Sequence, residues 1–255
     1  MGTPNFISAQ RGLSRDSIKM LAMVTMLLNH IANVFLEPSR LLSIILIDIG
    51  YFTAPVMCCF LAEGYQYTRS KKRYAARLAL FSVVSEIPYC LAFSEMMNGV
   101  RGISFCGMNM MFTLLLCFGV LAAEETIYDL PLRRMCMAVL LFLSLFSDWA
   151  VTAPILTFLF GKAGKDRRKT ALAFGIGAGV FVLLNYPWQS DLGTLPERLL
   201  YGAGMTAGPL MAGVVILRLY NGKKMEKGKA FSKWFFYLFY PVHLLILGLI
   251  RLAVS

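Results

Sequence analysis

The chain has only two histidines, and both lie in stretches too apolar for ordinary surface helices. His30 follows Met26-Leu27-Leu28-Asn29, and His243 closes the run Phe239-Tyr240-Pro241-Val242-His243. Imidazole takes and gives a proton near neutrality, so the chemistries within reach are general acid–base catalysis, nucleophilic catalysis and proton relay. Asp48 and Glu86 also interrupt apolar runs, while Asn109 and Asp148 stand at the edges of others. An ionisable group in hydrocarbon is expensive and is by default a functional candidate. The alternative for each is plain: a histidine hydrogen-bonded to a carboxylate can simply hold helices together.

One spacing is sharper. Lys19 and His30 are eleven residues apart, which on a helix amounts to three turns plus about 20°, so both project from one face about 16 Å apart along the axis. Arg15, four residues before Lys19, extends the basic face outward. A ligand with a phosphorylated head and a long, thin reactive arm suits this layout, and acyl-coenzyme A is such a molecule. The competing reading makes Lys19 an interfacial anchor that snorkels its ammonium to the membrane surface.

The elements that must position these groups are membrane helices. Of 255 residues 58% are apolar and 15% charged, and the mean hydropathy is +0.64; a soluble domain carries about 25% charged residues. Stretches long enough to cross a bilayer are read at 17–36, 41–64, 74–94, 108–123, 134–148, 150–161, 169–187, 197–217 and 232–254. The fifth and sixth share one apolar run interrupted by Ser147-Asp148-Trp149, so a single long helix is the alternative there. With the N-terminus in the cytoplasm, nine crossings put 21 of the 25 Lys and Arg inside, leaving Arg40, Arg101, Arg198 and Arg251 outside. The expected fold is therefore an all-α, polytopic bundle of about nine transmembrane helices forming a single domain. Its N-terminus is in and its C-terminus out, in the cytoplasmic membrane. The basic clusters read as topology signals against anionic lipid rather than as a nucleic-acid surface.

At about 1.5 Å of rise per residue, His30, Asp48 and Glu86 all come out near 10 Å below the outer surface, with His243 slightly deeper and Asn109 and Asp148 at the rim. A shared depth favours a common cavity. Pro55, Pro88, Pro154, Pro209 and Pro241 fall within the spans, where they free carbonyls and bend helices. The first apolar run is too long for a signal-peptide core and should remain as the first span. The six cysteines lie mostly in apolar runs without metal-ligand spacing and read as small fillers, so no metal is expected. Gly175-Ile176-Gly177-Ala178-Gly179 permits close helix packing.

Several blocks resemble the TraX family: Ile18-Lys19-Met20-Leu21-Ala22 through Asn29-His30-Ile31, Ala54-Pro55 through Glu63-Gly64, Thr68-Arg69 and Ser85-Glu86-Ile87-Pro88-Tyr89. Asn109 with Phe112-Thr113-Leu114, the Asp148 junction and Pro241-Val242-His243-Leu244 follow in order. That family is named for conjugative transfer and is similar to transmembrane acyltransferases, which carry a basic residue, ten intervening positions and then a histidine in an early span. Lys19 and His30 match that pattern. Two positions depart from the family: Asn29 stands where an Asp is usual, and Tyr51 where an Arg is usual.

The resemblance implies transfer of an acetyl group from cytoplasmic acetyl-CoA to an amine or hydroxyl acceptor at the outer face: pilin, a surface glycan or a small molecule. It implies that Arg15, Lys19 and inner-loop residues such as Arg69 meet the donor's phosphates, and that His30 acts as general base. Asp48 or Glu86 would orient the imidazole, and His243 or Asn109 would polarise the thioester carbonyl. The rival classes are a proton-coupled transporter using the same residues as a relay and a non-catalytic component of a transfer apparatus.

Overall fold

The computed structural model describes residues 12–187, 194–225 and 229–254. The described chain is all-helical and contains no strand. Its helices are α1 (Arg15–Phe35), α2 (Leu41–Gly50), α3 (Thr53–Tyr67), α4 (Lys71–Asn98), α5 (Met110–Thr126), α6 (Leu130–Ser144), α7 (Thr152–Ala163), α8 (Arg167–Asn185), α9 (Leu195–Val214) and α10 (Lys229–Val254). Five helical segments among the described residues are long and apolar enough to cross a membrane: Arg15–Phe35, Leu41–Tyr67, Lys71–Asn98, Leu195–Leu219 and Trp234–Val254. Their outward faces are greasy. On α4, Leu80, Val83, Val84 and Ile87 stand exposed at helical spacing, Val83 by 73%. A water-soluble helix would turn that stripe inward; here it is the face that lipid covers. The chain is a helical membrane protein.

The prolines divide into two kinds. Pro88, Pro209 and Pro241 lie inside α4, α9 and α10, which continue through them. Pro55 and Pro154 instead stand in the first turns of α3 and α7, where a missing N–H costs least. Pro55 thereby marks a break that the apolar run 41–64 does not reveal: α2 ends at Gly50 and α3 restarts at Thr53. Between α6 and α7 the chain also forms two helices rather than one. Their junction carries two non-glycine residues in the left-handed region, Trp149 (φ 56°) and Val151 (φ 59°). Such strain persists only where surroundings over-determine it. The Ser144 hydroxyl accepts the Val151 N–H at 3.0 Å, the Thr113 hydroxyl donates to the Asp148 carbonyl at 2.6 Å, and the Asp148 N–H donates to the Met108 carbonyl at 2.9 Å.

Helix approach depends on a few glycines. A Cβ at Gly177 would lie 2.3 Å from Leu156 of α7, whereas Gly175 and Gly179 meet nothing. Only the central glycine of that cluster therefore serves an interface. On α9, a Cβ at Gly204 would lie 2.3 Å from the Asp48 carboxylate, and one at Gly208 would lie 2.4 Å from the Asp48 carbonyl. Helix α10 packs along α4 and also touches α1, so the last described helix lies beside the first.

Candidate functional site

Two cavities flank α1. The larger, about 370 Å³, opens at the Lys19 end and is lined by Arg15, Lys19, Arg77 and Lys224 among apolar and aromatic side chains that include Tyr74, Phe236 and Tyr237. The smaller, about 210 Å³, contains His30 with Asn29, Asn33, Tyr51, Asp148, Trp149 and Tyr240. Both reach the first turn of α5, where Met111 lines the first and Met110 the second.

The first cavity is net basic, with Arg15, Lys19, Arg77 and Lys224 on its walls against Asp16. Arg15 is buried, donates from Nη2 to the Phe60 carbonyl at 2.7 Å, and lies 4.0 Å from Glu63. The Tyr220 hydroxyl donates to that same carboxylate at 2.8 Å. Lys19 Nζ sits 4.8 Å above the Phe236 ring, and the Arg77 guanidinium 5.4 Å from the Tyr74 ring. Arg15 Nε and Arg77 Nε are both buried without a hydrogen bond. Neither nitrogen is open to the cavity, and Arg15 Nε faces the Glu63 carboxylate. Arg69 is exposed in the turn after α3 and does not line the cavity. Arg77 and Lys224, from the same inner basic segments expected to meet the donor, line it instead.

His30 and His243 meet. Nδ1 of His30 lies 2.8 Å from Nε2 of His243, and Nδ1 of His243 lies 2.7 Å from the Phe239 carbonyl. Both residues are buried. The carbonyl is that of the residue four before His243, not the one Pro241 frees. The rings are within 8° of parallel with centroids 5.1 Å apart, and the Phe93 ring packs edge-on against His30 at 5.2 Å. The partner of the His30 imidazole is thus neither Asp48 nor Glu86. Asp48 lies against Gly204 of α9 and does not line the His30 cavity. Asp148, from the strained junction, does.

Glu86 and Asn109 bind each other. Asn109 Nδ2 donates to Glu86 Oε2 at 2.6 Å and to the Ser82 carbonyl at 2.7 Å, while its Oδ1 accepts the N–H groups of Met111 at 2.9 Å and Phe112 at 3.3 Å. Both amide hydrogens are taken, so Asn109 has none for a thioester carbonyl. It caps α5 and ties it to α4. The Tyr240 hydroxyl accepts the next N–H, of Met110, at 3.1 Å.

Sequence reading missed Tyr240 and the aromatic wall in which Trp149 stacks on Phe181 at 4.3 Å with Tyr51 edge-on to Phe181 at 4.6 Å. Tyr240 sat in the quoted Phe-Tyr-Pro-Val-His run, and Tyr51 was noted only as a departure. Asn29, the other departure, donates to the Ile47 carbonyl at 2.9 Å and packs where a Cβ on Gly50 would come within 2.2 Å. It holds α1 to α2.

A basic cavity and a histidine cavity thus both reach the first turn of α5. No solved structure matches the chain. Among curated relatives, the probable fimbrial assembly protein FimC, serogroup H1, of Dichelobacter nodosus is 29% identical over 240 residues, covering 92% of this chain and 94% of that protein. The family model described as TraX protein matches residues 14–251, nearly the whole chain, and the chain therefore belongs to the TraX family.

Proposed function

We propose that this chain is an acetyltransferase of the cytoplasmic membrane that moves an acetyl group from cytoplasmic acetyl-CoA to an acceptor at the outer face. The observation that carries the reading is a pair of cavities that each reach the first turn of α5, one lined by Arg15, Lys19, Arg77, Lys224 and Met111 and the other by His30 and Met110. The topology that goes with it has nine crossings, with α2 and α3 together making one, the N-terminus inside and the C-terminus outside. The distribution of 21 inner to 4 outer basic residues supports it. Arg15, Lys19, Arg77 and Lys224 bind the donor's phosphates, and the pantetheine arm follows α1 toward His30. His30 takes the proton from the acceptor hydroxyl or neutral amine as its oxygen or nitrogen attacks the thioester carbon. The carbon–sulfur bond breaks, and His30 returns the proton to the departing thiolate, giving acetylated acceptor and free coenzyme A. The name of the Dichelobacter nodosus relative supports a pilus subunit as acceptor; a surface glycan and a small molecule are the other classes.

The test is transfer of radiolabelled acetyl from acetyl-CoA in proteoliposomes containing the purified protein and a candidate acceptor. His30→Ala should lower the rate by at least about 10²-fold while donor binding persists. A variant as active as wild type would remove His30 as the base. Reporter fusions after Gly161 should read cytoplasmic and fusions at the C-terminus external, and fusions reporting the same side would overturn the nine-crossing topology.

A further inference from the structure

We propose that His243 is a positioning residue that holds the proton of His30 on Nδ1 and so leaves the lone pair of His30 Nε2 as the base in the cavity. The deduction starts from an atom that has no choice. The Phe239 carbonyl can only accept, so the nitrogen 2.7 Å from it, Nδ1 of His243, carries a hydrogen. A neutral imidazole has one N–H, so Nε2 of His243 is an acceptor. Nδ1 of His30, 2.8 Å away, must then be the donor. His30 in turn has spent its single N–H, and its Nε2 is bare.

The geometry fits this direction. The ring planes differ by 8°, and the centroids, 5.1 Å apart, exceed the nitrogen separation by about one ring width. The two imidazoles therefore meet edge to edge, with the N–H of one aimed along the in-plane lone pair of the other. Flipping His243 would set carbon atoms against both of its partners, and flipping His30 would set carbon against His243 Nε2, so neither alternative keeps the bonds. Nε2 of His30 makes no hydrogen bond among the described residues and is not one of the buried polar atoms without a partner, so it opens on the cavity that His30 lines.

The arrangement also has an end. When Nε2 takes a proton, the charge spreads over two imidazoles, but the last link is a carbonyl that accepts no proton. The pair stores one proton and hands it back, as a base must. It does not conduct one across the bilayer, as a proton-coupled carrier would need. In water a free histidine side chain favours the opposite tautomer, with the proton on Nε2; His243 supplies the bias against it. This is the role a third group plays in a nucleophile–base–orienter set, filled here by a neutral imidazole instead of a carboxylate.

The catalytic consequence rests on the acyl-transfer reading, whereas the tautomer does not, so the experiment reads them separately. Two histidines make ¹⁵N-histidine labelling unambiguous, because His30→Gln and His243→Gln assign the signals. Wild-type protein should show His30 with a protonated Nδ1 and a bare Nε2. His243→Gln offers a side-chain oxygen as many bonds from Cα as the lost Nε2. It should keep that tautomer and hold acetyl transfer within about tenfold of wild type. His243→Leu has no acceptor; His30 should revert to the Nε2–H form, and transfer should fall by about 10²–10⁴-fold. A wild-type spectrum with His30 protonated on Nε2 overturns the proposal, and it needs no variant to fold. So does a monodisperse His243→Leu protein that keeps both the tautomer and the rate. If the tautomers behave as stated but none of these proteins transfers acetyl, the lock stands and the acyl-transfer reading falls.

Discussion

Replacing Asn109 with Ala should cost stability, not chemistry. The residue is fully buried, and all of its amide hydrogen-bonding capacity points to two helices. Losing Oδ1 uncaps α5, worth about 1 kcal/mol. Losing Nδ2 strips the 2.6 Å donor from the Glu86 carboxylate, leaving it the Asn109 backbone N–H at 3.3 Å and the weak Cys90 thiol donor at 3.8 Å, and hydrogen bonds to charged groups are worth about 1.5–3 kcal/mol. The sum is about 3 kcal/mol, or a fall of about 6–12 °C in Tm for a chain of this size. Glu86→Gln keeps an oxygen for Asn109 Nδ2 and should lose about a third as much, roughly 1 kcal/mol. Thermal unfolding in detergent, followed by loss of the monodisperse elution peak, measures both variants. Transfer should be assayed well below the midpoint, where Asn109→Ala should retain most of its rate. A variant that melts with wild type yet has lost transfer would refute the capping argument and return Asn109 to the substrate.

Arg77→Ala and Lys19→Ala should each raise the KM for acetyl-CoA about tenfold with kcat little changed, since a phosphate contact is largely uniform binding; an unchanged KM would make either side chain a lipid anchor. Gly204→Ala places a methyl 2.3 Å from the Asp48 carboxylate and should destabilise by about 1–3 kcal/mol, read as a lowered Tm; no change would mean that α9 is free to shift. Glu125, at the end of α5 beyond the apolar stretch, is held below its ordinary value of 4.5 by hydrogen bonds from Lys71 and Tyr65. A depressed carboxylate contributes fully above its unfolded pKa and is lost as pH falls through its folded one, so the Tm should drop on acidification below about pH 4.5, and less steeply in Lys71→Ala.

Much of this fold is legible from hydropathy because a bilayer demands apolar length, and that requirement is written residue by residue. The break at Tyr51 and Phe52 was not, since both flanking stretches are apolar and only Pro55 distinguishes them. Counting along the spans put His30, Asp48 and Glu86 at one depth. Direction around each helix was not legible. Asp48 turns toward the glycines of α9, and Glu86 turns toward the cap of α5. A helix wheel gives angles relative to its own axis, and the neighbour it faces is decided by packing between distant segments. The Lys19 and His30 face was legible because both groups ride on one helix. That His30 would find His243, 213 residues away, was not.

That separation has a consequence for biogenesis. Helix α1 leaves the ribosome long before α10, so the imidazole pair cannot exist until α10 has been made and has docked against α4 and α1. Nascent and prematurely terminated chains would hold His30 without its companion, and their basic cavity would lack Phe236 and Tyr237 as well. The histidine pair is thus missing from every chain that lacks α10 and forms when that helix docks.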